Sequence, residues 1–213
     1  MVVLCGCIMA AFQYALTPDK QLAILQPDQF DPSLVDDSML FVKKYHKIAP
    51  FQLVNQNGDT ITQTDYEGKI YVADFFFTTC PSICPVMTKN MTLLQEEFKN
   101  DPEVMLLSHS VTPEIDSVAV LREYADRKGV IDAKWNLVTG DREQIYDLAR
   151  KSYLAVKKNK YGGENAMIHT ENFLLIDKEG RLRGRSYDGT DVEDIKALIE
   201  DIYVLKESYK LNE

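Results

Sequence analysis

Two cysteines, Cys80 and Cys84, lie four residues apart within the sequence FFFTTCPSICP. The apolar segment before them, Ile70 to Phe77, has the length and the β-branched and aromatic content of a buried strand. An amphipathic helix is predicted after them, from Val86 to about Phe98. The thiols therefore lie where a core strand turns into a helix, and free N–H groups at a helix N-terminus favour the thiolate.

This thiol pair permits two kinds of chemistry. If the turn between the cysteines is helical, their spacing places both side chains on one face, with Cβ atoms roughly 5–6 Å apart. A disulfide is then within reach, and the pair can exchange electrons as dithiol and disulfide. Two thiolates and one imidazole also form a ligand set that suits Cu(I) and can hold Cu(II). The residues alone leave both chemistries open.

Three histidines are candidates for the third ligand. His46 falls in a predicted linker and is expected to be a solvated surface residue. His109 lies inside a predicted core strand and is expected to be structural. His169 follows a polar loop, residues 157–165, and comes shortly before another predicted core strand. A loop at a strand edge can bring such a side chain toward a metal site.

Asp74 is unusual because it interrupts the apolar strand six residues before Cys80. A buried carboxyl group has a raised pKa and can accept a proton from a thiol. The alternative is a polar residue at a strand end, paired with a lysine or with the backbone. Both interpretations remain open from the sequence.

Strand and helix patterns alternate along most of the chain. The predicted strands lie at residues 51–54, 60–62, 70–77, 104–111, 135–138, 173–177 and 181–185. The first two form a hairpin around Asn57-Gly58, and the last two form a second hairpin. This order predicts an α/β fold in which helices flank a central, mainly parallel sheet, with an added N-terminal hairpin and an antiparallel edge.

Local signals mark the ends of the predicted helices. Asp116 is expected to cap a helix that stops before Gly129. Asp141 is expected to cap the next helix. Thr190 and Glu193 have the spacing of a capping box for the last helix.

Composition divides the chain into segments and argues against some classes of function. Residues 1–16 carry no charge, which indicates a truncated signal or anchor, a lipoprotein signal with Cys7 as the lipidated residue, or an unstructured tail. Residues 17–47 read as a linker and residues 48–213 as one domain. The net charge of −9 without a long basic run argues against a nucleic-acid partner. Four cysteines are too few for a disulfide scaffold.

Three motifs resemble the Sco/SenC family. They are FTTCPSICP at residues 77–85, SVTPEID at residues 110–116 and HTENFLLIDKEG at residues 169–180. They occur in the family's order, and the resemblance runs from about residue 48 to residue 203.

The resemblance implies a thioredoxin-like fold that is anchored to a membrane through its N-terminus and faces the periplasm. It also implies one copper per monomer, as Cu(I) or Cu(II), bound by Cys80, Cys84 and His169. Family members help to assemble the binuclear copper site of cytochrome c oxidase, by delivering copper or by reducing the target's cysteines. The implied partners are the oxidase subunit that carries this site and a second copper chaperone.

This chain departs from the family's pattern at three places. Ser82, Ile168 and Thr112 stand where the family often has aspartate. The predicted ligands are retained, while three acidic neighbours are replaced. Copper affinity, the handling of Cu(II) and partner docking are the properties that these replacements affect.

Two functions therefore compete. The first is a copper-binding assembly factor, which is a binding protein rather than an enzyme. The second is a thiol–disulfide oxidoreductase of the cell envelope, in which Cys80 attacks, Cys84 resolves and Asp74 accepts a proton. A peroxiredoxin-like peroxidase is disfavoured, because Phe77 and Ala73 stand where such enzymes have threonine and proline.

Overall fold

The apolar segment before the cysteines forms the central strand of a mixed sheet. The computed structural model describes residues 21–30, 32–156 and 168–211. The strands are β1 (Gln52–Asn55), β2 (Thr60–Thr62), β3 (Ile70–Phe76), β4 (Val104–Ser110), β5 (Trp135–Thr139), β6 (Asn172–Ile176) and β7 (Leu182–Asp188). The helices are α1 (Cys84–Phe98), α2 (Val118–Lys128), α3 (Arg142–Asp147) and α4 (Val192–Lys210). One π-helical turn, Leu148–Ser152, continues α3.

The strand order is β2-β1-β5-β4-β3-β6-β7. Only the centre is parallel, where β4 pairs with β3 and β5. The four other pairings are antiparallel. The central mixed sheet and the N-terminal hairpin are confirmed, but the expectation of a mainly parallel sheet is wrong. The two hairpins flank the parallel centre, so antiparallel pairings outnumber parallel ones.

Alternation along β3 divides the core between the two faces of the sheet. Ile70, Val72 and Phe76 pack into one cluster, which also takes the buried sides of α1, α2 and α4. Tyr71, Ala73 and Phe75 face the other cluster, which contains α3 and its π-helical turn. Successive side chains of a strand point to opposite faces, so β3 is buried on both sides. Both thiols belong to the first cluster.

Two of the four predicted helix signals are confirmed. Gly129 ends α2 with φ 70°, a left-handed conformation that glycine adopts at little cost. Asp141 caps α3 by accepting a hydrogen bond from the amide of Gln144. The other two predictions are wrong, because Ser117 rather than Asp116 caps α2 and Asp191 alone caps α4.

Parts of the predicted linker pack against the domain. Leu25 N–H donates to the carbonyl oxygen of Leu182, and Gly184 N–H donates to that of Ala23, so this segment borders β7. His46 is buried, which corrects the expectation of a solvated side chain. Its Nε2 donates to the carbonyl oxygen of Ser152 over 2.7 Å. The boundary at residue 47 stays a prediction.

Two predicted features lie wholly outside the described residues. These are the apolar segment at residues 1–16 and the polar loop at residues 157–165. Within the described ranges, no helix combines the length and the apolar character that a membrane span requires.

Candidate metal and thiol centre

The candidate site lies at one end of the sheet, where β3 ends and β6 begins. Because β6 runs antiparallel to β3 and pairs Leu174 with Ala73, the residues before β6 lie beside those that follow β3. The ring of His169 packs edge-on against the ring of Phe77, with centroids 5.6 Å apart. The topology therefore brings the predicted histidine to the same edge as the cysteine loop.

Both thiols are free and buried, and they contact one another. Helix α1 begins at Cys84 rather than at Val86, with a proline in its first two positions. Cys80 lies outside the helix, in a turn where its amide donates to the carbonyl oxygen of Phe77 over 3.3 Å. The thiols therefore meet across a loop and a helix start, rather than along one helical face.

Cys80 is the more acidic thiol. Burial raises its pKa, but hydrogen bonds from the backbone and side chains of Cys84 and Ser82 outweigh this effect and hold the pKa below its ordinary value. The Ser82 hydroxyl lies 3.8 Å from the Cys80 sulfur. Donors aimed at a sulfur favour the thiolate.

Cys84 has the opposite character. Burial raises the pKa of its thiol to about 12, and a hydrogen bond with the Phe77 backbone opposes this only in part. The neighbouring Cys80 and the charge of Asp74 raise the pKa further. Of the two thiols, Cys80 therefore releases its proton more readily, and Cys84 keeps its proton at neutral pH.

Asp74 is the buried carboxyl group that the sequence suggested. Burial raises its pKa to about 7, and a hydrogen bond from Ser108 opposes the rise. Trp135 Nε1 donates to the Ser108 hydroxyl oxygen over 2.8 Å, so the single Ser108 proton is free to point at Asp74. One carboxyl oxygen, Oδ1, has no hydrogen-bond partner among the described residues. A carboxyl group that titrates near neutral pH beside a proton-retaining thiol can exchange a proton with it.

His169 is exposed between two buried neighbours, Ile168 and Thr170. The Thr170 hydroxyl and the Asn172 side-chain amide both donate to the carbonyl oxygen of Ala155, at 2.6 and 2.9 Å. These bonds hold the backbone beside the imidazole. In the described part of the chain, no three histidine, cysteine or acidic side chains are grouped closely enough to hold a metal. The structure thus brings His169 to the edge without closing a ligand set.

His109 fulfils the structural role expected of it. It is fully buried and stacks on Phe75 with ring centroids 4.8 Å apart. Burial lowers its pKa to about 4 despite a contact of 3.3 Å between Nδ1 and the backbone oxygen of Asp74. The residue lies on the face of the sheet opposite the thiols.

Sequence reasoning missed the part that Asp116 plays at this edge. Its buried carboxylate accepts hydrogen bonds from the backbone and hydroxyl of Thr78, and from the hydroxyls of Ser110 and Thr112. The sequence does contain a signal for this role: the hydroxyl residues Ser110 and Thr112 come shortly before Asp116, at the end of a core strand. The predicted role as a helix cap concealed it.

A family model described as SCO1/SenC matches residues 42–204 of this sequence. The chain belongs to the SCO1/SenC family. The match contains both thiols, His169 and Asp116, and confirms the resemblance that the three motifs suggested.

Solved structures of the family resemble about three quarters of the chain. A SCO1/SenC family lipoprotein from Bacillus anthracis str. Ames shares 32% identity and a TM-score of 0.66, over 76% of this chain and 95% of that one. BsSco, described as a Sco-family cytochrome c oxidase assembly protein with a disulfide switch, shares 32% identity and a TM-score of 0.64, over 75% and 93%. Bradyrhizobium japonicum ScoI with copper bound shares 27% identity and a TM-score of 0.57, over 73% and 99%. These matches confirm the predicted thioredoxin-like fold.

Proposed function

We propose that this protein is a copper-binding assembly factor. It takes up one copper ion per monomer through Cys80, Cys84 and His169. It delivers that copper to the binuclear copper site of cytochrome c oxidase, or prepares the cysteines of that site. The observation that carries the proposal is the free, adjacent thiol pair at the sheet edge to which His169 is also brought.

The donor set fits copper. Thiolate sulfur is a soft ligand that selects Cu(I), and imidazole is a good ligand for either oxidation state. Both thiols are buried among apolar side chains, which limits their access to water. His169 is exposed, so it can complete the set by a small movement toward the thiols and can release the ion by the reverse movement.

Copper uptake must remove the proton from Cys84. Because the pKa of that thiol is raised to about 12, copper binding at neutral pH releases the Cys84 proton. Copper and the proton therefore compete for the Cys84 sulfur. Asp74, with a pKa of about 7, is a nearby acceptor for this proton. Copper affinity should therefore increase with pH across the neutral range.

The cellular setting of the proposal rests on relatives. The Bacillus anthracis relative is a lipoprotein, and BsSco belongs to a family of cytochrome c oxidase assembly proteins. We therefore place this protein in the cell envelope, anchored through residues 1–16 and facing the periplasm. The oxidase subunit with the binuclear copper site receives the ion, and a second copper chaperone is its source.

The test is a Cu(I) titration of the reduced protein against a competing chelator. Wild type is expected to bind one equivalent, and Cys80→Ser, Cys84→Ser and His169→Ala are expected to weaken binding by at least tenfold. Glu171→Gln is the matched control, because it alters the same loop and leaves all three ligands in place. Unchanged stoichiometry and affinity in His169→Ala would remove the histidine from the proposal.

A thiol–disulfide reductase is the second candidate, and the unequal acidity of the two thiols favours it. The Cys80 thiolate attacks a substrate disulfide, forms a mixed disulfide and releases one substrate thiolate, which takes up a proton. Cys84 then loses its proton to Asp74 and attacks the Cys80 sulfur. This step releases the second substrate thiolate, which takes up a proton, and leaves a Cys80–Cys84 disulfide, so the substrate is reduced by two electrons and the protein is oxidised by two.

Single-turnover reduction of a model disulfide separates the two functions. If the reductase role is correct, Asp74→Asn slows the resolving step while His169→Ala leaves the rate unchanged. Asp126→Asn, which removes an exposed carboxylate from α2, is the control for the change in charge. If the protein binds Cu(I) tightly and its disulfide exchange is slow and independent of Asp74, the reductase role is rejected and the assembly factor remains as the proposed function.

A further inference from the structure

Asp116 forms a hydrogen-bonded junction between the cysteine loop and the loop after β4. Its Oδ1 accepts from the Thr78 hydroxyl over 2.5 Å. Its Oδ2 accepts from the Thr78 amide at 3.2 Å, the Ser110 hydroxyl at 2.6 Å and the Thr112 hydroxyl at 3.0 Å. The residue is fully buried, and these four donors are neutral.

The junction acts on the turn that carries Cys80. That turn runs from Phe77, whose carbonyl oxygen accepts from the Cys80 amide. Thr78 is inside it, and Asp116 holds both its backbone and its side chain. On the other side, Ser110 ends β4 and pairs in register with Phe76. The carboxylate therefore fixes the loop to the rigid centre of the sheet.

We propose that Asp116 is a positioning residue that holds the Cys80 turn beside Cys84, so that the two thiols are preorganised for chelation or disulfide closure. This inference rests on the proposed function only for its use of copper. A carboxylate that accepts four hydrogen bonds is costly to replace, because each donor that would lose its acceptor is buried or half-buried. Groups that are already in place bind without a further cost of ordering them.

Asparagine is the informative replacement for Asp116. It keeps the shape of the side chain but exchanges one accepting oxygen for an NH2 group that can only donate. In one orientation it loses the Thr78 hydroxyl, and in the other it loses the three donors on Oδ2. Either orientation loosens the turn without opening a cavity.

The experiment measures two equilibria in the full chain, with Cys5→Ser and Cys7→Ser as the common background. The first is closure of the Cys80–Cys84 disulfide by oxidised glutathione in the metal-free protein, in which glutathione disulfide is reduced to two thiols. The second is Cu(I) affinity against a competing chelator. Asp116→Asn is expected to lower both constants by about tenfold, which for the two-electron couple is about 30 mV.

Asp201→Asn is the matched control for a loss of stability. Asp201 is also a buried carboxylate that accepts a hydroxyl hydrogen bond, from Tyr187 over 2.6 Å, but it belongs to α4 and contacts β7. Its replacement is expected to destabilise the fold and to leave both constants unchanged. Equal changes in the two variants would reduce Asp116 to a structural residue and overturn the inference.

The remaining outcomes also decide the inference. A folded Asp116→Asn with unchanged closure and copper constants overturns it. If Asp116→Asn does not fold, Thr78→Val, which removes only the 2.5 Å hydroxyl bond, is expected to lower both constants by about threefold, and no change would overturn the inference. If wild type fails to bind Cu(I), the proposed function fails, and the metal-free closure constant still tests Asp116.

Discussion

The Thr170 hydroxyl donates a hydrogen bond of 2.6 Å to the carbonyl oxygen of Ala155, and so ties the residue next to His169 to the backbone just after the π-helical turn Leu148–Ser152. The Thr170 oxygen also accepts from the Asn172 amide at 3.2 Å. The exposed imidazole is therefore attached to a fixed backbone. The hydrogen bond therefore fixes the backbone from which the His169 side chain moves toward the thiols.

Removing this tie should weaken copper binding through His169 alone. Thr170→Val keeps the shape and deletes the hydroxyl, so we expect Cu(I) affinity to fall by between about twofold and tenfold, the range for one hydrogen bond. A chelator competition assay measures the change. In a His169→Ala background the same substitution should have no further effect.

Thr92→Val is the matched control for this prediction. Thr92 also donates its hydroxyl to a backbone oxygen, that of Thr88, but within α1. It should leave copper affinity unchanged. An equal loss of affinity from Thr170→Val with and without His169 would show that Thr170 acts on the thiols rather than on the imidazole.

The two cysteines should differ strongly in their rate of alkylation. The pKa of Cys80 is lowered by donors around its sulfur, whereas that of Cys84 is raised to about 12 by burial. Only the thiolate reacts with iodoacetamide, so near neutral pH Cys84→Ser, which keeps Cys80, should be alkylated at least about tenfold faster than Cys80→Ser, which keeps Cys84. Mass spectrometry of each variant, with Cys5 and Cys7 replaced by serine, measures both rates.

The pH dependence of alkylation provides the internal control. The rate for Cys80 should level off at a lower pH than that of a free cysteine, because the thiolate forms earlier. Equal rates for the two variants would contradict the assigned asymmetry. They would also weaken the reductase alternative, which needs one attacking and one resolving thiol.

Features of the fold that depend on neighbouring residues could be predicted from the sequence. The turn at Asn57-Gly58 joins β1 to β2, Gly129 ends α2 and Asp141 caps α3. Each signal acts within a few residues, through a backbone conformation or one hydrogen bond. The cysteine pair could be recognised for the same reason.

Features that depend on distant residues could not be predicted in this way. Asp116 accepts from Thr78, which is 38 residues earlier, and His46 contacts Ser152, which is 106 residues later. A local pattern cannot distinguish a helix cap from a buried junction, or a linker from a packed segment. His169 could be placed at a strand edge, but its contact with Phe77 requires the antiparallel pairing of β6 with β3.

The segment before β1 should contribute to the stability of the domain through His46. This side chain is buried, its Nε2 donates to the Ser152 backbone, and its amide donates to Gln26. His46→Ala should lower the free energy of unfolding by roughly 1–3 kcal/mol. Urea unfolding followed by the fluorescence of Trp135, the one tryptophan of the chain, measures the change.

Lys44→Ala is the control, because Lys44 is an exposed residue of the same segment. It should leave the free energy of unfolding within about 0.5 kcal/mol of wild type. If His46→Ala were equally silent, the segment would be a linker that rests on the domain without stabilising it.

Asp74 and His109 should impose opposite pH dependences on stability. The pKa of Asp74 is about 7 when folded and ordinarily 3.8, so the folded state keeps a proton that the unfolded chain loses, and stability falls as pH rises from about 4 to 7. The pKa of His109 is about 4 when folded and ordinarily 6.5. The folded state therefore resists protonation, and stability falls as pH drops from 6.5 to 4.

These opposing effects should nearly cancel in wild type between pH 4 and 6.5, and Asp74→Asn should expose the histidine. We expect the free energy of unfolding of Asp74→Asn to increase by on the order of 3 kcal/mol as the pH rises from 4 to 6.5. Urea unfolding at a series of pH values measures the profile, with Asp126→Asn as the control for a lost exposed carboxylate. An unchanged, flat profile in Asp74→Asn would mean that Asp74 is ionised in the folded protein throughout this range, and the carboxyl group could not then act as an acceptor that titrates near neutral pH beside Cys84.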